Sequence, residues 1–334
     1  PLGEGILGSS MKAALIFLFL LAASLRIAPV ILDPERGRLG LGPYGDSYFY
    51  HRAAFNLLEG RGFSSTADGR ACEPAVTRAP GYPFFLSLAY SVFGKSEDRT
   101  PGRWHVVLDR TRMAQGVLDS LNVLLVFLLA RALAPASPLA ALAAASLCAL
   151  NPYTAFYSGA LLSETLTGFL LTLSMTCLGT ALARDSARLL SLAGAAMGLV
   201  VLCRPEYLPF LFLLGGLWIL LARRGLGLPA SRAGLWLVCA LAVVLPWTIR
   251  NACLFQKFIP VSAGQLGGNL WLGSFPWHHW ERLPPGLLAD PGEQRAVQER
   301  WKQFHRTVLS GSIRIRQEDA YFRQQAMKVF RRHP

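Results

Sequence analysis

Six charged side chains stand where apolar runs of this chain break: Asp46, Glu164 and Glu206, and Arg78, Arg204 and Arg250. A carboxylate at a cleft mouth can take a proton from an attacking hydroxyl. It can equally cap a helix, and Asp46 in "GPYGDSYFYH" fits both uses. Glu164, in "LNPYTAFYSGALLSETLTGF", is an acid at membrane depth, where such acids are functional candidates; a helix dipole also favours an acid at that position. Arginine forks match phosphate oxygens. Arg78 in "TRAPGYPFF" can hold a phosphate or anchor at headgroup depth. In "CRPEYLPF", Arg204 and Glu206 either neutralise each other or leave Arg204 for an anionic headgroup. Arg250 in "PWTIRN" has the same option.

The elements that carry these residues read as membrane spans. Of 334 residues, 52% are hydrophobic and 16% charged, against about 25% charged in soluble domains. Only Asp119, Glu164, Asp185 and Glu206 are acidic between Met113 and Arg250. Spans are expected at about 12–32, 113–133, 138–156, 160–182, 188–203, 206–222 and 232–248. Asp119 then lies within the second span, roughly two turns from its outer end, where it bonds a neighbouring helix or reaches the cleft. Arg131, Arg184, Arg188, Arg223, Arg224, Arg232 and Lys12 fall on one side, which is cytoplasmic by the positive-inside rule. Arg204 and Arg250 fall on the other, against that trend. The net charge of +13 would suggest nucleic acid in a soluble protein. Here an anionic lipid or phosphate ligand is the more economical partner.

The outer loop 33–112 carries more than linker. Over 46–59, Tyr50, Ala54, Leu57 and Leu58 share one helical stripe, with Arg52, Asn56 and Glu59 opposite. The apolar stretch 82–94 has 13 residues, too few to span, and reads as an interfacial or re-entrant helix. "GLGPYG", 40–45, matches a dinucleotide fingerprint by letters alone, since no strand or βαβ unit surrounds it. After residue 249, Val297, Trp301, Phe304 and Val308 form one stripe, and Phe322, Ala326, Val329 and Phe330 another. The Gly-, Trp- and His-rich segment 262–280 suits sugar stacking or an interface belt. His278 and His279 are adjacent, so on a regular element they point apart and make a poor metal pair. Of six cysteines, Cys72 and Cys253 lie outside the apolar runs and can pair only on an oxidising side.

Taken in order, "GDSYFYHRAAFNLLEGRGF", "RAPGYPFFLSLAYSVFG", "LNPYTAFYSGALLSETL", "RPEYLPF" and "PWTIRNACLFQKFIPVSAGQLGGNLWLGS" resemble the polytopic GT-C glycosyltransferases. The likeness is to the bacterial family related to protein O-mannosyltransferases and lipid A aminoarabinose transferase. The resemblance implies an all-α polytopic bundle of about seven spans, in a bacterial inner membrane, with its active site on the extracytoplasmic face. It implies inverting transfer of a sugar from a polyprenyl-phosphate donor to an acceptor that is a lipid, a glycan or a protein. Asp46 corresponds to the family's catalytic acid in the first outer loop. Glu164 corresponds to a second acid on the same cleft, which can aid the acceptor or a divalent metal. Arg78, Arg204 and Arg250 would steady the leaving phosphate. Tyr44, Tyr82, Glu206 and Asn269 would line the substrate cleft.

The expected organisation is a tag remnant at 1–10, a transmembrane core at 11–250 that includes loop 33–112, and an outer-face segment at 251–334. Members of that family carry further spans beyond such a segment, so the chain reads as a fragment or a short version. Two rival functions are a lipid-linked-sugar flippase and a non-catalytic membrane assembly subunit. A flippase needs a polar path, yet the middles of the apolar runs hold little charge.

Overall fold

The computed structural model describes residues 9–34, 46–65, 74–94, 104–225, 229–263, 266–274, 290, 292, 295–301 and 315–332. Among them all regular structure is helical. The helices are α1 (Ser9–Leu32), α2 (Asp46–Leu58), α3 (Gly81–Phe93), α4 (Trp104–Leu133), α5 (Pro138–Leu150), α6 (Pro152–Ser158), α7 (Glu164–Arg184), α8 (Ala187–Cys203), α9 (Tyr207–Arg223), α10 (Ala230–Phe255), α11 (Leu266–Gly273) and α12 (Ile315–Arg332). Four of them, α1, α4, α7 and α10, are long and apolar enough to cross a bilayer. A fifth crossing is possible if α5 and α6, bent by 50° at Asn151, form one broken span. The helices α3, α8 and α9 are apolar but shorter. The chain is thus a helical, membrane-embedded protein.

Its contacts divide it into two units, Pro1–His51 with Pro80–Pro246, and Arg52–Ala79 with Trp247–Pro334. The boundary between the units at Pro246 lies inside α10, and 52–79 belongs to the same unit as the C-terminal segment.

In the first unit α4 packs against α1, α5 and α7, and α7 pairs with α8. Lipid tails are as apolar as leucine, so small residues and interhelical hydrogen bonds do the joining. Ala141, Ala145 and Ala149 recur every four residues along α5 and let it close on Ala22 of α1 and on Val123 and Phe127 of α4. Ser174 Oγ donates to the Ala193 carbonyl at 2.8 Å, and Thr176 Oγ1 to that of Leu125 at 3.1 Å. On α8, a Cβ at Gly194 or Gly198 would fall on the Trp236 or Ala240 carbonyl of α10. Glycine spacing of this kind is what lets two backbones touch. Phe17, Leu20, Leu147 and Leu213 stay exposed, as side chains facing hydrocarbon should.

Capping explains several helix ends. Ser137 Oγ accepts from Ala140 N ahead of α5, and Ser186 Oγ from Leu189 N ahead of α8. Asn151 Oδ1 accepts from Tyr153 N and Thr154 N and so starts α6. Pro152 is tolerated there because a first-turn N–H has no helical acceptor anyway.

Three expectations shift. The helix α4 begins nine residues before 113, so Asp119 lies about four turns from its start, near the middle. Asn56, expected on the polar stripe, is fully buried and donates to the Ser64 carbonyl at 2.7 Å. Phe330, expected with the apolar stripe, is 39% exposed.

In the second unit Trp271, Val297, Trp301, Phe322, Ala326 and Val329 form one core. Asp319 Oδ1 accepts from Gly267 N at 2.7 Å, satisfying a first-turn donor of α11. A Cβ at Gly267 would collide with the Asp319 carbonyl. Phe304 and Val308 lie outside the described residues. Cys253 is an exposed free thiol, and Cys72 lies outside the described residues.

Candidate functional site

Within the first unit, helix ends bring polar groups together. Asp46 opens α2 with an exposed carboxylate in the first turn, where the dipole favours it. One turn on, Tyr50 is buried, and its ring meets that of Tyr82 edge-on at 5.1 Å. The Tyr82 hydroxyl donates to Gln115 Oε1 at 2.6 Å. Gln115 Nε2 donates in turn to the Ser158 and Ala160 carbonyls, at 3.2 and 2.8 Å. This relay ties α3 through α4 to the turn before α7. Burial, and then the neighbouring Tyr90 and Tyr50, push the Tyr82 phenol well above its ordinary range. It therefore remains a donor at any ordinary pH. Tyr82, expected to line the cleft, is instead fully enclosed, because its hydroxyl completes this relay.

Glu164 starts α7, and Arg204 caps the end of α8. Antiparallel packing of α7 and α8 puts them at one end. Arg204 Nη2 donates to Glu164 Oε1 at 2.6 Å, and Nη1 to Glu206 Oε1 at 3.2 Å. Burial pulls the Arg204 guanidinium down, but the carboxylates of Glu164 and Glu206 outweigh it and hold it above its ordinary value. The Arg204 and Glu164 side chains are each about a third exposed. Glu164 Oε2 is buried and has no hydrogen-bond partner among the described residues. A Cβ at Gly81 would lie 2.7 Å from Cys203 Sγ, so the absence of a side chain lets α3 begin against the turn that carries Arg204.

A cavity of about 660 Å³ opens between the end of α1, the start of α2, α4 and the α5–α6 break. Its walls are mostly apolar, with Leu25, Pro29, Val30, Leu150, Pro152 and Phe156; Asp33, Ser47, Arg112 and Asn151 supply polar atoms. The volume lies in the range of small-molecule sites. Arg112 is almost fully buried and donates to the carbonyls of Gly159 at 2.6 Å and Pro34 at 2.8 Å.

Arg78, Arg250 and Asn269 belong to the second unit. Arg250 lies 4.4 Å over Trp247 and 5.6 Å from Phe63, and donates to the Ala75 carbonyl and to Asn251 Oδ1. Arg78 is half-buried, with a long 3.5 Å contact to the Thr77 carbonyl. Asn269 is exposed on α11. Tyr44, His278 and His279 lie outside the described residues. Among the described residues no three His, Cys, Asp or Glu side chains gather as a metal would need.

Sequence reading passed over Arg26, Arg112 and Gln115. A charge inside the first apolar run was the available signal for Arg26. The other two sit at the edge of an expected span, where polar residues attract no notice. No family model matches the chain, and no curated protein and no solved structure matches it either.

Proposed function

We propose that the chain is an inverting membrane glycosyltransferase of GT-C type, moving a sugar from a polyprenyl phosphate to an acceptor hydroxyl on the extracytoplasmic face. The observation that carries this reading is the Glu164–Arg204 contact at 2.6 Å, at the end of the unit where Asp46 opens α2. Seven spans follow if α8 and α9, 17 residues each, also cross; that length is the lower limit for doing so. The chain then alternates so that Asp46, Glu164 and Arg204 share the face opposite the basic loops.

In the reaction the acceptor oxygen attacks the anomeric carbon as Asp46 takes its proton. The bond from that carbon to the phosphate oxygen breaks, and the electron pair leaves with the polyprenyl phosphate. Arg204 has five N–H groups. Two of them bind Glu164 and Glu206, and three remain for phosphate oxygens. Glu206, bonded to Arg204, keeps the cleft role the resemblance gives it.

Against a flippase, the most deeply buried ion pair among the described residues, Arg26 with Asp119, has its guanidinium donors already engaged by protein. The test is Asp46→Asn in membranes supplied with polyprenyl-phosphate sugar. Transfer should fall at least about 1,000-fold, within the range seen for loss of a catalytic base, while the melting temperature holds. Full transfer in that variant sinks the assignment of the base.

A further inference from the structure

The break between α5 and α6 leaves a deficit of donors that α1 makes good. In an uninterrupted helix the Cys148 carbonyl would accept from the N–H of residue 152, but that residue is proline and has none. The Ala149 carbonyl would accept from Tyr153 N, which is turned instead to Asn151 Oδ1 at 2.9 Å. From the backbone around the break the Cys148 carbonyl receives a long contact from Asn151 N, at 3.4 Å. Two carbonyls are thus under-satisfied at bilayer depth, where each costs several kcal/mol.

Arg26 reaches across from α1 to both. Its Nη1 donates to the Ala149 carbonyl at 2.9 Å and its Nη2 to that of Cys148 at 3.1 Å. Nη2 also donates to Thr154 Oγ1 in α6 at 2.9 Å, and Nη1 to Ala22 in its own helix at 3.2 Å. Nε meets Asp119 Oδ2 at 2.5 Å, which balances the charge. The other Asp119 oxygen takes Asn122 Nδ2 at 3.1 Å. All five guanidinium donors are therefore used, on four helices, and Arg26 is fully buried.

We infer that Arg26 is a positioning residue for the cavity: its guanidinium substitutes for the missing helical donors and fixes the bend that makes one wall. Leu25, Pro29 and Val30 of α1 line one side of that cavity, and Leu150, Pro152 and Phe156 of the break line another. Arg26 is the bridge between these two walls. Lysine cannot replace it, because one ammonium point cannot reach acceptors on four helices.

The test compares the full-length wild type with Arg26→Lys, which keeps the charge beside Asp119, and with an Arg26→Leu, Asp119→Leu double variant, which leaves no orphan charge. Amide exchange in 150–158 should rise about tenfold or more in both, with α7 and α8 unchanged, as for a local opening. The kinetic arm rests on the proposed function: KM for polyprenyl-phosphate sugar should rise about tenfold with kcat nearly constant. Unchanged exchange at 150–158, or a rise spread evenly over the bundle, overturns the inference. So does a local rise in exchange with KM unaltered. A wild type that transfers no sugar overturns the functional reading alone, and exchange then decides for or against Arg26.

Discussion

Two arginine–carboxylate pairs in one bundle differ in what they leave over. Arg26 and Asp119 meet at 2.5 Å, Arg204 and Glu164 at 2.6 Å, so distance does not separate them. Burial and spare capacity do. The Arg26 side chain is 0% exposed, and every donor is engaged by protein; Arg204 is 33% exposed and has three N–H groups in hand. The Glu164 carboxylate keeps one buried oxygen without a partner among the described residues, whereas Asp119 uses both. A saturated pair holds helices, and an unsaturated one at a helix terminus can receive a ligand. Arg250 sits between these cases, with aromatic faces and backbone taking much of its guanidinium.

The largest effect expected from this contrast is on stability. Asp119→Leu strands the Arg26 charge and should cost about 3–5 kcal/mol, as breaking a buried pair does. Denaturant unfolding in detergent measures it, and a loss as small as that from Glu164→Leu would erase the distinction. Next comes Arg204→Ala. Transfer should fall about 100- to 1,000-fold, the range for losing a preorganised donor to developing charge, with unfolding shifted by under about 1 kcal/mol. Steady-state kinetics beside the same unfolding measurement reads both. If the variant unfolds as readily as Asp119→Leu, both pairs are structural. The smallest effect is that of Glu164→Gln, which keeps a hydrogen bond to Arg204 but removes the charge. It should lower kcat/KM about tenfold, some 1.4 kcal/mol. A larger loss than that of Arg204→Ala would make Glu164, not Arg204, the centre of the site.

What could be read from the sequence was what depends on neighbours along the chain. The helix α2, the 13-residue helix α3 and the break at Asn151-Pro152 are local matters of periodicity and proline, and all are present. That Asp46, Glu164 and Arg204 stand at helix ends was legible for the same reason, as charges where apolar runs stop. Asn56 and Tyr82 were misread because their partners, Ser64 and Gln115, are set by folding and not by helical spacing. The start of α4 was misplaced because hydropathy marks where a helix becomes apolar, not where it begins. Arg26 was missed most completely. Its acceptors lie up to 128 residues away, and nothing along α1 announces them.

That separation has a consequence for how the chain is made. The Cys148 carbonyl is 122 residues downstream of Arg26. At about 5–20 residues per second of synthesis, the arginine precedes that carbonyl by roughly 6–24 s. Asp119 appears in between, 93 residues after Arg26. The order of translation thus sets down the cation first, then its counter-ion, and last the kinked segment that cannot settle in the bilayer without them.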